Sequence, residues 1–155
     1  MVFGEEHDFK RFPELTNSEI DEFGFLSPHE QITSDFVGLV VKVSDGDTVR
    51  LRVGFRDFDF PLRFSSVDAP ELSTGSSGQE ARDFLKELIL GELVDVRIDR
   101  FNRVEKYGRL LGDVVVGGLN VGEVMVYLGF AVPFGLRRDG SLPDLNRDLA
   151  VENWF

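Results

Sequence analysis

The chain has 155 residues, 42% of them apolar, no cysteine, and a net charge of −11. That suits one domain with its own hydrophobic core, and it excludes disulfides, thiolate catalysis and cysteine-based zinc sites. Two histidines against 28 acidic residues favour a hard cation with oxygen ligands over zinc or copper, while the acidic balance argues against a generally nucleic-acid-binding surface.

Residues 1–35 are acidic and weakly patterned, and are expected to form an N-terminal extension packed loosely on a domain of residues 36–155. Thr16-Asn17-Ser18-Glu19 resembles a helix start, with Ile20 and Phe23 as an apolar edge. The leader lacks a basic stretch followed by an apolar one, and no apolar run could span a bilayer. The expectation is a cytoplasmic monomer with no membrane contact, or a secreted one if a leader has been removed.

From Phe36 the pattern becomes that of short strands. Val37, Leu39, Val41 and Val43 alternate, Asp45-Gly46-Asp47 is a turn signal, and Val49, Leu51 and Val53 alternate against Arg50 and Arg52 on the return. Phe58, Phe60, Leu62 and Phe64 form a third strand. After the polar loop LSTGSSG, Gln79 to Leu90 carries helical spacing in Ala81, Phe84, Leu85, Leu88 and Ile89, with Gly91 at the stop. Leu93–Asp99 and Leu110–Val116 are further strands. Asn120–Leu128 reads as a second helix, and a short third is expected through Leu145 and Leu149. The class is therefore α+β, with five strands that either close into an OB-type barrel or remain an open sheet.

Four pieces carry possible chemistry: Asp45-Gly46-Asp47-Thr48, Arg63, Val67-Asp68-Ala69-Pro70-Glu71 and Lys106-Tyr107-Gly108-Arg109. Singly, each has an ordinary structural explanation: a turn, a solvated strand residue, a strand terminated by proline, a hairpin bend. In this order, through VVKVSDGDTVRL, LRFSSVDAPE and KYGRLLGDVVVGG, they resemble the staphylococcal nuclease (thermonuclease) family from about Val37 to about Ala131.

That resemblance implies a five-stranded OB-fold barrel with two to three helices and a calcium-dependent phosphodiester hydrolase acting on DNA and RNA, preferring single strands. Position by position it implies Asp47 and Asp68 as metal carboxylates and Ala69 as the donor of a backbone carbonyl. Glu71 stands as general base, Arg63 and Arg109 as phosphate-binding arginines, Lys106 and Tyr107 as contacts to a terminal phosphate, and Asp45 as an acid behind the metal ligands. The chain departs from the family in a shorter loop after Glu71 that lacks lysines, and in the absence of the tyrosine pair after the second helix. Phe134, Gly135 and Arg137 stand near there instead. The competing reading is a non-catalytic OB module that binds nucleic acid or protein; such modules lose some of the acids or arginines, and none is lost here.

Overall fold

A computed structural model describes residues 7–72 and 75–135. Its elements, in chain order, are α1 (Asn17–Phe23), β1 (Phe36–Asp45), β2 (Thr48–Arg52), β3 (Phe60–Phe64), β4 (Val67–Asp68) and α2 (Ser76–Ile89). There follow β5 (Leu93–Arg97), β6 (Leu110–Val116), β7 (Leu119–Asn120), α3 (Val121–Tyr127) and β8 (Val132–Pro133). The expected tail helix through Leu145 and Leu149, and Arg137, lie outside the described residues.

The long strands run in the order β3-β2-β1-β5-β6, each antiparallel to its neighbour, and a parallel pairing of β3 with β6 closes the ring. This is the closed five-stranded alternative, with three α-helices among the described residues. Closure leaves no open edge among these strands. It also pairs Arg63 with Leu111, two residues beyond Arg109, which immediately precedes β6.

Val49, Leu51, Phe60, Leu62, Phe64, Val94, Val96 and Leu110 fill the barrel, each at most 1% exposed. Leu85 and Ile89 of α2, with Ala81, pack on the same core. Each buried leucine or isoleucine side chain contributes about 1.5–3 kcal/mol by leaving water. Thr16 caps α1 through the reciprocal bonds with Glu19 that the sequence suggested, and Asn120 caps α3 by accepting from the Glu123 N–H.

Strand β1 departs from the expected alternation. Val37 is 53% exposed, while Val40 and Val43 are buried. The register against β2 shifts between Val40 and Lys42. The extra residue there is a β-bulge, and a bulge changes which face the following side chains take. The apparent run Val37-Leu39-Val41-Val43 therefore crosses a change of phase.

The loose packing expected of residues 1–35 does not hold where they meet the barrel. Leu15 and Ile32 are core residues. Between them in space, Glu14 is buried with Arg56 and Arg103, at 2.5 and 2.8 Å. Arg103 also donates to the carbonyls of Ile32 and Leu15, and the Ile32 N–H donates to Glu14. Burial pushes the Arg103 guanidinium down from its usual range, and the Glu14 carboxylate pulls it back. The Arg56 guanidinium lies over the rings of Phe58 and Phe60, 4.9 and 4.7 Å from their centroids.

Removing one member of a buried charge network leaves the others uncompensated. Glu14→Gln is expected to lower unfolding stability by about 3–5 kcal/mol, measured by urea denaturation. A loss under about 1 kcal/mol would mean that the two arginines find solvent or other partners.

Candidate active site

The turn between β1 and β2 is set by close packing. A Cβ on Gly46 would lie 2.7 Å from the Cβ atoms of both Ala69 and Ala81. Only glycine lets the Asp45–Thr48 turn sit against the segment after β4 and the start of α2. Seated there, Asp47 is fixed on both carboxylate oxygens: Oδ2 accepts from the Ala69 N–H at 2.9 Å and Oδ1 from the Thr48 hydroxyl at 3.0 Å. The Asp47 carbonyl accepts from the Phe64 N–H, which ties the turn to the end of β3.

Asp68 is placed by a second, smaller sheet. Strands β4 and β8 pair with Asp68 opposite Val132. Beyond β8, the Gly135 N–H donates to Asp68 Oδ2 at 3.3 Å, and the Phe134 N–H donates to the Ser66 carbonyl. Glu71 follows at the entry to α2. A Cβ on Gly78 would come within 2.0 Å of the Glu71 carbonyl oxygen, so the first turn of α2 fits against the Glu71 backbone only with glycine there.

Both arginines reach the same cavity, Arg63 from β3 and Arg109 from just before β6. Arg63 Nη2 bonds to Asp68 Oδ1 and lies 3.4 Å from Asp47 Oδ2, while Nη1 donates to the carbonyls of Phe64 and Val67. Arg109 is held by Glu105 from Nε and Nη2, at 3.2 and 3.3 Å, and donates to Thr48 Oγ1 at 3.3 Å. A continuous chain of polar contacts thus runs from Arg109 through Thr48 and Asp47 to Arg63 and Asp68.

The cavity measures about 690 Å³, and Asp45, Asp47, Arg63, Asp68, Glu71, Lys106, Tyr107 and Arg109 all line it. Every side chain singled out from the sequence is brought together except that of Ala69, which is buried and lies outside the lining. Burial, then the Asp47 and Glu71 charges, raise the Asp45 carboxyl above its ordinary value, against a Leu72 backbone hydrogen bond and the Arg109 charge. At Asp45, burial and the neighbouring acids outweigh the relief that Arg109 gives, an environment that favours an added cation.

A hard divalent cation fits the chemistry of this donor set. Asp47 from the β1–β2 turn and Asp68 from β4 already share one cationic partner in Arg63. No group of three ligating side chains forms a cage among the described residues. The balance of a coordination sphere would therefore come from backbone oxygen, water and substrate.

The profile of the family described as staphylococcal nuclease homologue matches residues 61–147. An uncharacterized endonuclease of Escherichia coli O157:H7 is 36% identical over 108 residues, spanning 69% of this chain and 67% of that one. Endonuclease YncB of Bacillus subtilis is 31% identical over 112 residues, 68% of this chain and 52% of its own length. The SPbeta prophage-derived endonuclease YokF of the same organism is 33% identical over 92 residues, of which this chain covers 30% of the length. The chain belongs to the staphylococcal nuclease family.

In this member of the family, the sequence named Thr48 within the turn but not its role, which is to link Asp47 to Arg109, and it left Glu105, which orients Arg109, unread. The signal for Glu105 was its place four residues before Arg109, a spacing at which opposite charges across a tight bend can meet. The Tyr107 and Arg109 N–H groups donate to the same carboxylate oxygen, Glu105 Oε1, so one side chain organises the whole Lys106–Arg109 turn.

Burial pushes the Glu105 carboxyl up, but the hydrogen bonds and charge of Arg109 outweigh it and hold the group below its usual 4.5. A carboxylate with a lowered folded-state pKa stabilises the fold above its unfolded value, and that contribution disappears as pH falls through the folded value. The parent should therefore out-melt Glu105→Gln at neutral pH, with the difference shrinking as the pH drops below 4.5. Melting curves from neutral to acid pH test this; a difference that holds constant with pH would assign the effect to shape and not charge.

Proposed function

We propose that the chain is a calcium-dependent nuclease that hydrolyses phosphodiester bonds of DNA and RNA, working as a monomer and faster on single strands. The observation that carries this reading is the convergence of five carboxylates and two arginines on one cavity. The endonuclease names of the E. coli and B. subtilis relatives support the same reaction class.

Calcium would be held by Asp47, Asp68 and the Ala69 carbonyl, and when bound it would polarise the phosphoryl group and position a water. Glu71 takes a proton from the attacking water as oxygen adds to phosphorus. Negative charge then gathers on the equatorial oxygens, where the planar forks of Arg63 and Arg109 can each donate paired hydrogen bonds. The phosphorus–oxygen bond opposite the attack breaks, and the leaving oxygen takes a proton from solvent water. A single-stranded backbone enters such a cavity with less obstruction than a duplex, hence the expected preference.

The net charge of −11 opposes polyanion binding, so affinity must come from cations concentrated around this cavity, and it should fall steeply with salt. Degradation of single-stranded DNA and RNA in millimolar calcium and in EDTA is the direct test. Loss of both polymers in calcium and survival in EDTA is expected; two intact polymers in calcium at alkaline pH would end the nuclease reading. Arg63→Lys keeps the charge but loses the fork, and should cut the rate by about 10²-fold or more. Because Arg63 also bonds the Phe64 and Val67 carbonyls, this variant should melt below the parent. A fully active Arg63→Lys enzyme would remove this arginine from the chemistry.

A further inference from the structure

We propose that a nucleic-acid strand leaves the catalytic cavity across Tyr107 and continues into a second groove, built jointly by the N-terminal segment and the Lys106–Tyr107 turn. There Arg11 and Lys106 hold its phosphates and Tyr107 offers a ring face to a base. This subsite rests on the nuclease reading above and extends it to residues outside the matched family region.

The two cavities are continuous in their lining. Val104, Glu105, Lys106 and Tyr107 line both the catalytic cavity and the neighbouring groove of about 800 Å³, whose other wall includes Arg11 and Phe12. The wall is fixed in place. Gly108 has φ +86°, and a Cβ there would lie 2.4 Å from the Phe12 ring. The leading segment is thus seated directly on the turn that carries Lys106, Tyr107 and Arg109. Its own bend is closed by the Phe12 N–H donating to the Asp8 carbonyl and the Arg11 N–H to the Asp8 carboxylate.

Three acids line the groove, and two of them are neutralised: Glu14 by Arg56 and Arg103, and Glu105 by Arg109, while Glu19 accepts from the Thr16 N–H at the start of α1 and keeps its charge. Asp8 is engaged in closing the Arg11 bend. The His7 ring is engaged with the Phe12 carbonyl at 2.5 Å. By contrast, neither Arg11 nor Lys106 has an ion-pair partner among the described residues. Each lies against a ring, Arg11 on Phe12 at 5.2 Å and Lys106 on Tyr107 at 5.1 Å. Tyr107 is 64% exposed. Cations without acid partners beside an exposed aromatic ring are the combination that holds single strands without regard to sequence, by phosphate contact and base stacking.

The test compares labelled oligothymidylates of three and twelve nucleotides, bound in EDTA at low salt and read by fluorescence anisotropy. The parent should bind the longer strand about tenfold more tightly or better, since only it can fill both cavities. Arg11→Glu should remove most of that length advantage and flatten the salt dependence by roughly one phosphate's worth. Lys86→Glu makes the same charge change on the exposed last turn of α2 and should keep the advantage. The subsite is overturned if the parent shows no length advantage, if Arg11→Glu retains it, or if Lys86→Glu loses as much. Cleavage in calcium separates the two ideas. A parent that binds through Arg11 but cuts nothing ends the nuclease reading alone, and an Arg11→Glu enzyme that cuts the longer strand with the parent's KM ends the subsite alone.

Discussion

Two carboxylates, one from the β1–β2 turn and one from β4, meeting on one guanidinium are the arrangement around which this site is organised. Asp47 and Asp68 would repel each other in isolation, and Arg63 between them makes the juxtaposition tolerable. In the low-dielectric margin of a barrel such a cluster is costly unless every charge is compensated. The compensation extends outward: Thr48 and the Ala69 N–H hold Asp47, the Gly135 N–H holds Asp68, and the Phe64 and Val67 carbonyls hold Arg63. A calcium ion would take over the part that Arg63 plays toward the acids, leaving the arginine available to phosphate.

The barrel makes this geometry possible by chain closure and by small residues. The parallel pairing of β3 with β6 brings the strand that carries Arg63 beside the start of β6, which Arg109 immediately precedes. Gly46 and Gly78 sit where any side chain would collide with the backbone or side chains that position Asp47 and Glu71. The site is therefore a consequence of how closely the turn after β1, the segment after β4 and the start of α2 approach one another. The pairing of β4 with β8 adds the segment after α3 as a fourth support.

Much of this was legible in the sequence. The β1–β2 turn, the phase of β2 and β3, helices α2 and α3 and the Thr16 cap follow from spacing and turn chemistry that act over a few residues. The phase of β1 was not legible, because a bulge has no apolar signature of its own and Val37-Leu39-Val41-Val43 imitates an uninterrupted strand. The role of residues 1–35 was hidden for a different reason. Glu14 meets Arg56 and Arg103 across 42 and 89 positions, and a single buried acid leaves no periodicity to read. The motif residues could be named from resemblance, yet nothing in their spacing showed that Arg63 would lie between the two acids. Side-chain direction depends on the barrel's closure, which the pattern of alternation left open.

The central claim is that Asp47 and Asp68 together form a cation site whose chemistry is separate from that of Glu71. Calorimetric titration of calcium into the parent, Asp68→Asn and Glu71→Gln measures this directly. The account predicts one bound calcium for the parent, no detectable binding for Asp68→Asn, and binding within a few-fold of the parent for Glu71→Gln. Retained binding in Asp68→Asn together with its loss in Glu71→Gln would contradict the account.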